Sequence, residues 1–245
     1  MPAESRDLTG TVVAITGATA GIGRQAAVQL VEAGAKVALG GRREERLAEL
    51  VDQLGADNAL GVPMDVRVPE DNQRLIGLAE ETFGRLDSVV ANAGVGMYGG
   101  IMDNTDDELA DMVRTNFDGT VWTVRAAVPA LLSRTGGGDI VIVSSVAGLR
   151  GGADEAVYAG TKFAQVGLAG SLDRELREKG IRVTAICPAG VETEFAIGKG
   201  RTEGDPSLAD YLRPDDVAAS IVSVLRQPRR VRTTVWALWP MSQQS

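Results

Sequence analysis

Three residues able to manage a proton without histidine lie within one short stretch of the sequence: Ser145, Tyr158 and Lys162. Tyr158 and Lys162 stand four residues apart in AVYAGTKFAQVGLAGSL, whose apolar spacing predicts a helix with both side chains on one face. Ser145 follows the apolar run 140–143, which reads as a buried strand, and open α/β sheets hold their ligands at the carboxyl ends of strands. A hydroxyl, a phenol and an amine brought together there would suit acid–base chemistry on an oxygen. Any helix can carry Tyr and Lys at this spacing, so the rest of the chain must decide.

Absences narrow the chemistry. The 245 residues include no histidine, which excludes Ser-His-Asp and Cys-His hydrolases and the common His-containing zinc sites, and no metal is expected. The single cysteine, Cys187, has no partner for an intrachain disulfide and ends an apolar run, as a core thiol would. The net charge of −8 offers no electrostatic footprint for nucleic acid or an anionic membrane. No stretch has the length and apolarity of a membrane span, and the amino terminus MPAESRDLTG lacks the form of a secretion signal, so the expected location is the cytoplasm.

The elements that must position the three residues alternate in type. Residues 11–16 (TVVAIT) read as a strand, Gly17, Gly21 and Gly23 as a tight turn, and Ile22, Ala26, Ala27, Leu30 and Val31 as a helix closed by Gly34. Such a turn lets backbone N–H groups and a helix amino terminus approach a pyrophosphate. A second strand, 36–40, ends at Gly41-Arg42-Arg43. In a nucleotide-binding βαβ unit a carboxylate there would hold the adenosine ribose; its replacement by Gly41 with Arg42 following favours a 2′-phosphate, hence NADP(H) over NAD(H). Arg43 reads as a solvated charge at the start of the next helix.

Residues 59–62 form a third strand leading to Asp65 and Val66, where Asp65 has the chemistry to accept from an adenine amino group. A helix over 70–83 and a strand over 87–91 lead into Asn92-Ala93-Gly94. A capping box, Thr105 with Glu108, starts a helical pattern running to Leu132, within which Asn116 is unfavourable by propensity. After the strand before Ser145 and the helix of Tyr158, residues 182–187 give another strand broken at Pro188; 194–213 has the scattered glycines of a substrate lid. A helix after Pro214 and a strand over 233–238 complete a single domain, 1–245. Alternation throughout predicts an α/β fold, a doubly wound parallel sheet with helices on both faces.

Taken together, Thr16-Gly17-Ala-Thr19-Ala-Gly21-Ile22-Gly23, Asn92-Ala93-Gly94, Asn116, Ser145 and Tyr158-x-x-x-Lys162 resemble the short-chain dehydrogenase/reductase family in identity, order and spacing over nearly the whole chain. The resemblance implies a three-layer Rossmann fold of about seven strands, assembled as a homodimer or homotetramer through the helices near Asn116 and Tyr158. It implies hydride transfer between NADP(H) and a carbonyl or alcohol, with Tyr158 giving or taking the hydroxyl proton. Lys162 would lower the phenol's pKa from its ordinary value near 10 and hold the nicotinamide ribose. Ser145 would bind the substrate oxygen, Asn116 a relay water, and Thr193 the carboxamide. Pro188, Gly190 and Val191 would complete the cofactor wall, although Ala189 and Ala91 replace residues usual in the family. Ser145 fits the family's serine-to-tyrosine interval better than Ser144. Met97, Tyr98, Phe195 and Tyr211 are candidates for the substrate pocket. The alternative from another class is an NADP(H)-binding regulator without catalysis, which would show damage among the catalytic residues.

Overall fold

The computed structural model describes residues 5–243. Its centre is a sheet of seven parallel strands: β1 (Val12–Thr16), β2 (Lys36–Gly41), β3 (Ala59–Pro63), β4 (Ser88–Ala91), β5 (Gly138–Val143), β6 (Ile181–Pro188) and β7 (Val235–Leu238), ordered β3-β2-β1-β4-β5-β6-β7. The order reverses between β1 and β4, which opens a crevice at their carboxyl ends.

Strand periodicity sorts the core into two layers. Val12 and Ala14 of β1, with Ile140 and Ile142 of β5, face one core, whereas Val13, Ile15, Val141 and Val143 face the other. The first core is closed by α3 (Pro69–Phe83), α5 (Gly119–Leu132) and α6 (Ala156–Leu176). The second is closed by α1 (Gly21–Glu32), α2 (Glu44–Leu54) and α7 (Pro214–Leu225). This is the three-layer Rossmann arrangement that the alternating pattern and the resemblance predict. Among the described residues no helix is long and apolar enough to cross a membrane.

Two elements differ from their sequence expectation. The helix expected to run unbroken from Thr105 to Leu132 is α4 (Asp106–Val113), a π-helical turn over Arg114–Asp118, and then α5. The cause sits inside the turn: the Asn116 carbonyl accepts from Thr120 Oγ1 at 2.7 Å and from the buried Gln165 Nε2 at 2.7 Å. Side-chain donors thus occupy a carbonyl that a regular α-helix would use internally, and π turns recur where a helix must serve a site. The last strand begins at Val235 instead of 233, because Thr233 turns its carbonyl to Thr184 Oγ1 (2.6 Å) and its hydroxyl to Gln227.

Candidate active site

The turn between β1 and α1 is built to admit something against its backbone. Gly17 and Gly21 have φ of +68° and +51°, where a side chain is strained. A Cβ on Gly23 would fall 2.4 Å from the Gly17 carbonyl oxygen and 2.5 Å from Asn92 Nδ2. Asn92 fixes the turn from the far side, its Nδ2 donating to the Thr16 and Gly17 carbonyls at 3.0 and 3.2 Å. Thr16 Oγ1 in return accepts from the backbone N–H groups of Asn92 and Ala93. Ala20 precedes α1 and gives no side-chain cap, so the first-turn N–H groups have no side-chain acceptor. A bare helix amino terminus above a glycine cradle fits a pyrophosphate.

From this turn a cavity of about 910 Å³ extends along the carboxyl ends of the strands to Tyr158. It is lined by Gly17, Thr19, Gly21, Ile22, Arg42, Asp65, Val66, Asn92, Ala93, Gly94, Ser145, Tyr158, Lys162, Pro188, Gly190, Val191 and Thr193. Of the site residues expected from sequence, Gly23 and Asn116 lie behind this lining. Met97, Tyr98 and Phe195 line it as well; Tyr211 does not, and instead packs against Gly190.

At the deep end, Tyr158 is 6% exposed and its ring lies 5.7 Å from the Tyr98 ring and 5.8 Å from Phe195, centroid to centroid. Burial raises the phenol pKa above its ordinary value, the Tyr98 hydroxyl adding to the effect and a hydrogen bond with Ser145 opposing it. The net shift is upward, where the sequence set the expectation of a lowering by Lys162. The Lys162 ammonium, 5.7 Å from the centre of the Tyr158 ring, donates to the Val143 carbonyl at 3.2 Å and to Gln165 Oε1 at 3.0 Å. Burial lowers its own pKa to about 8. Ser145 Oγ accepts from Ala147 N at 3.1 Å and donates to the Pro188 carbonyl at a long 3.3 Å, a bond readily exchanged for a better one.

Asn116 is fully buried and its polar atoms are committed. Its Oδ1 accepts from Val95 N (2.8 Å), and its Nδ2 donates to the Val95 carbonyl (2.9 Å) and to Thr161 Oγ1 (3.1 Å). The side chain thus pins the loop after β4 to α6. Its carbonyl accepts from Thr120 Oγ1 and Gln165 Nε2. Gln165 is the residue that sequence reading missed. It is fully buried, takes the Lys162 proton donor on its oxygen, and gives its amide protons to Asn116 and Thr120. The available signal was its place three residues after Lys162, on the same helical face.

At the other end of the cavity, a Cβ on Gly41 would meet Thr19 Cγ2 at 2.6 Å, so a side chain there would require Thr19 to shift. Arg42 is exposed and its charge reaches Asp65, whose carboxylate is held below its ordinary pKa chiefly by hydrogen bonds from Arg67. Arg43 is not the free solvated charge expected. Its guanidinium donates to Thr19 Oγ1 at 3.0 and 3.1 Å and pairs with Glu194, which also pairs with Arg46. Thr193 Oγ1 accepts from Phe195 N at 3.2 Å, which orients it at the lip of the cavity.

A family model described as short chain dehydrogenase matches residues 11–204. An uncharacterized oxidoreductase of Staphylococcus aureus (strain MW2) is 35% identical over 234 residues, which cover 96% of this chain and 99% of the relative. Among solved structures, the closed form of a serine dehydrogenase complexed with NADP+ gives a TM-score of 0.88 at 31% identity, covering 96% of this chain and 97% of that one. An alcohol dehydrogenase from the archaeon Thermococcus sibiricus, complexed with 5-hydroxy-NADP, gives 0.87 at 29% identity, covering 96% and 98%. With a glycine turn, a seven-stranded parallel sheet and a match across most of its length, the chain belongs to the short chain dehydrogenase family and is an oxidoreductase of that family.

Proposed function

We propose that the protein transfers a hydride between NADP(H) and a carbonyl or alcohol substrate, with Tyr158 as the general acid and base. The observation that carries this reading is the joining of Tyr158, Ser145 and Lys162 to the glycine cradle by one cavity. When bound, the dinucleotide supplies or accepts the hydride. The residues of the chain do the rest. Gly17, Thr19, Gly21 and Ile22 would hold the pyrophosphate, with Gly23 allowing the close packing beneath. Asp65 and Val66 would border the adenine, and Asn92, Ala93, Gly94, Pro188, Gly190, Val191 and Thr193 the nicotinamide half.

In the reducing direction Tyr158 keeps its proton at neutral pH, because burial raises its pKa, and can donate it to a carbonyl oxygen. Ser145 redirects its weak bond from Pro188 to that same oxygen as negative charge builds there. Lys162 presents an ammonium to the ribose side of the cavity, steadied by Val143 and Gln165. Asn116 acts as a positioning residue through Val95 and Thr161.

The preference for NADP(H) rests on Gly41, which carries no carboxylate, and on the exposed Arg42 beside it. Segment 194–213 serves as the substrate lid of a single domain, a reading supported by Phe195 against Tyr158 and by Tyr98 N donating to the Lys199 carbonyl at 3.0 Å. A homodimer or homotetramer would cover the apolar side chains of Val113 (38% exposed), Leu132 (41%) and Phe163 (47%) on α4, α5 and α6. The reading of a regulator without catalysis finds no support, since Ser145, Tyr158 and Lys162 are all present along the cavity.

Tyr158→Phe removes the proton and keeps the ring. Turnover should fall by about a thousandfold or more, within reach of what positioned acid–base groups contribute, while NADPH binding by fluorescence titration stays unchanged. Unimpaired turnover in this variant would reject the assignment. Equal kcat/KM with NADPH and NADH would reject the cofactor preference.

A further inference from the structure

Arg201 has no part in the roles assigned above, yet it lines the same cavity as Tyr158. Its guanidinium carbon lies 5.8 Å from the centre of the Tyr98 ring, 5.7 Å from Phe195 and 5.3 Å from Tyr211. Two of these rings, Tyr98 and Phe195, are the same ones that pack on Tyr158. The charge therefore sits one layer of aromatic rings from the phenol. It lowers the pKa of both Tyr98 and Tyr158 against the larger opposing effect of burial.

Three cations near it have acidic partners, Arg43 and Arg46 sharing Glu194 and Lys199 pairing with Glu108. Among the described residues Arg201 has no carboxylate within 4.0 Å. Its Nη1 donates to the Val191 carbonyl at 3.0 Å. A guanidinium carries five N–H donors, so this bond leaves donors over. Half-buried among rings, such a group attracts an anion more strongly than it would in water, and its fork matches a carboxylate.

We propose that Arg201 binds an anionic group of the substrate, which makes the substrate pair a hydroxy acid and the corresponding oxo acid. The inference rests on the reaction proposed at Tyr158. In the oxidising direction, with Tyr158 first ionised to the phenolate by loss of its proton to solvent, the carbinol C–H bond breaks, its electron pair passing as hydride to NADP+, and the hydroxyl proton goes to the phenolate oxygen of Tyr158. The carboxylate takes no part in bond changes; its contact with Arg201 sets which carbon faces Tyr158.

The test compares initial rates with NADP+ for hydroxycarboxylates bearing the hydroxyl on the second, third or fourth carbon, each beside its uncharged methyl ester. For the best chain length the acid should exceed its ester in kcat/KM by about tenfold or more, the range a charge-assisted pair supports. Arg201→Gln should raise KM for the acid by about tenfold, lower kcat/KM for the acid several-fold more than for the ester, and be partly rescued by Arg201→Lys. Acid and ester used equally well by the unsubstituted enzyme would overturn the proposal, as would equal loss on both in Arg201→Gln. Turnover of neutral alcohols without acid preference, abolished by Tyr158→Phe, rejects the role of Arg201 and leaves the reaction standing. No turnover of any compound, with NADP+ still bound, rejects both.

Discussion

Gln165 shows how a single side chain sets the state of a charged group. The Lys162 ammonium is buried, and burial lowers its pKa to about 8, so the charged form it would use on the ribose is present below that pH and lost above it. The proposed reaction should therefore show kcat/KM falling as pH rises through about 8. Gln165 Oε1 accepts from this ammonium at 3.0 Å and so favours its protonated form. Gln165→Leu removes the acceptor at similar volume, and the alkaline limb should move down by about one pH unit, the equivalent of one charge-assisted hydrogen bond. Gln165→Glu should move it up. A purely structural role for Gln165 would lower stability in both variants and leave the limb in place. The residue was hard to read from sequence, because a glutamine on a helix is ordinarily solvated. Only the packing of α6 against the π turn makes this one fully buried.

Strand, helix and turn identities were legible because periodicity and glycine placement act locally. Residues 11–16 and 140–143 are apolar on both faces, as strands covered by helices on two sides must be, and the burial of β1 and β5 follows. The π turn was not legible: its cause is a pair of donors, one of them on α6, and no local pattern carries a contact over that distance. The direction of Arg43 was lost for the same reason, since its partner Glu194 lies far along the chain. Glycines divide in the same way. In Gly23→Ala the new Cβ would meet the Gly17 carbonyl at 2.4 Å, so the turn must open, and NADPH affinity by fluorescence titration should fall by about tenfold or more. At Gly77 in α3 a Cβ would find open space, with no neighbouring atom within 4 Å. Gly77→Ala should instead stabilise the protein by about 0.5–1 kcal/mol in denaturant unfolding, with affinity unchanged.

At the scale of the whole molecule the sheet separates chemistry from anchoring. The cavity occupies the carboxyl ends of the strands, while Asp139, near the start of β5 at the other end, gathers the terminal segments of the chain. Its carboxylate, 2% exposed, accepts from Arg182 at 2.6 Å, Arg6 at 2.9 Å and Arg229 at 3.0 Å. Arg182 also donates to the carbonyls of Gln227, Pro228 and Val231, which fixes the connection between α7 and β7. Asp139→Asn keeps the shape and removes the charge, leaving the buried Arg182 and its two neighbours without a counterion. Breaking one side of a buried ion pair costs about 3–5 kcal/mol, whereas removing an exposed pair costs under about 1 kcal/mol. The urea midpoint should therefore fall in Asp139→Asn with the slope unchanged. Arg46→Gln, which loses only a solvent-exposed partner of Glu194, should leave the midpoint nearly where it was. Because Asp139 lies across the sheet from Tyr158, the folded Asp139→Asn protein should keep its NADPH affinity and its turnover. A matching loss of both would mean that the two ends of the sheet act as one unit, and that the site depends on the anchoring of the chain ends as well as on the residues that line it.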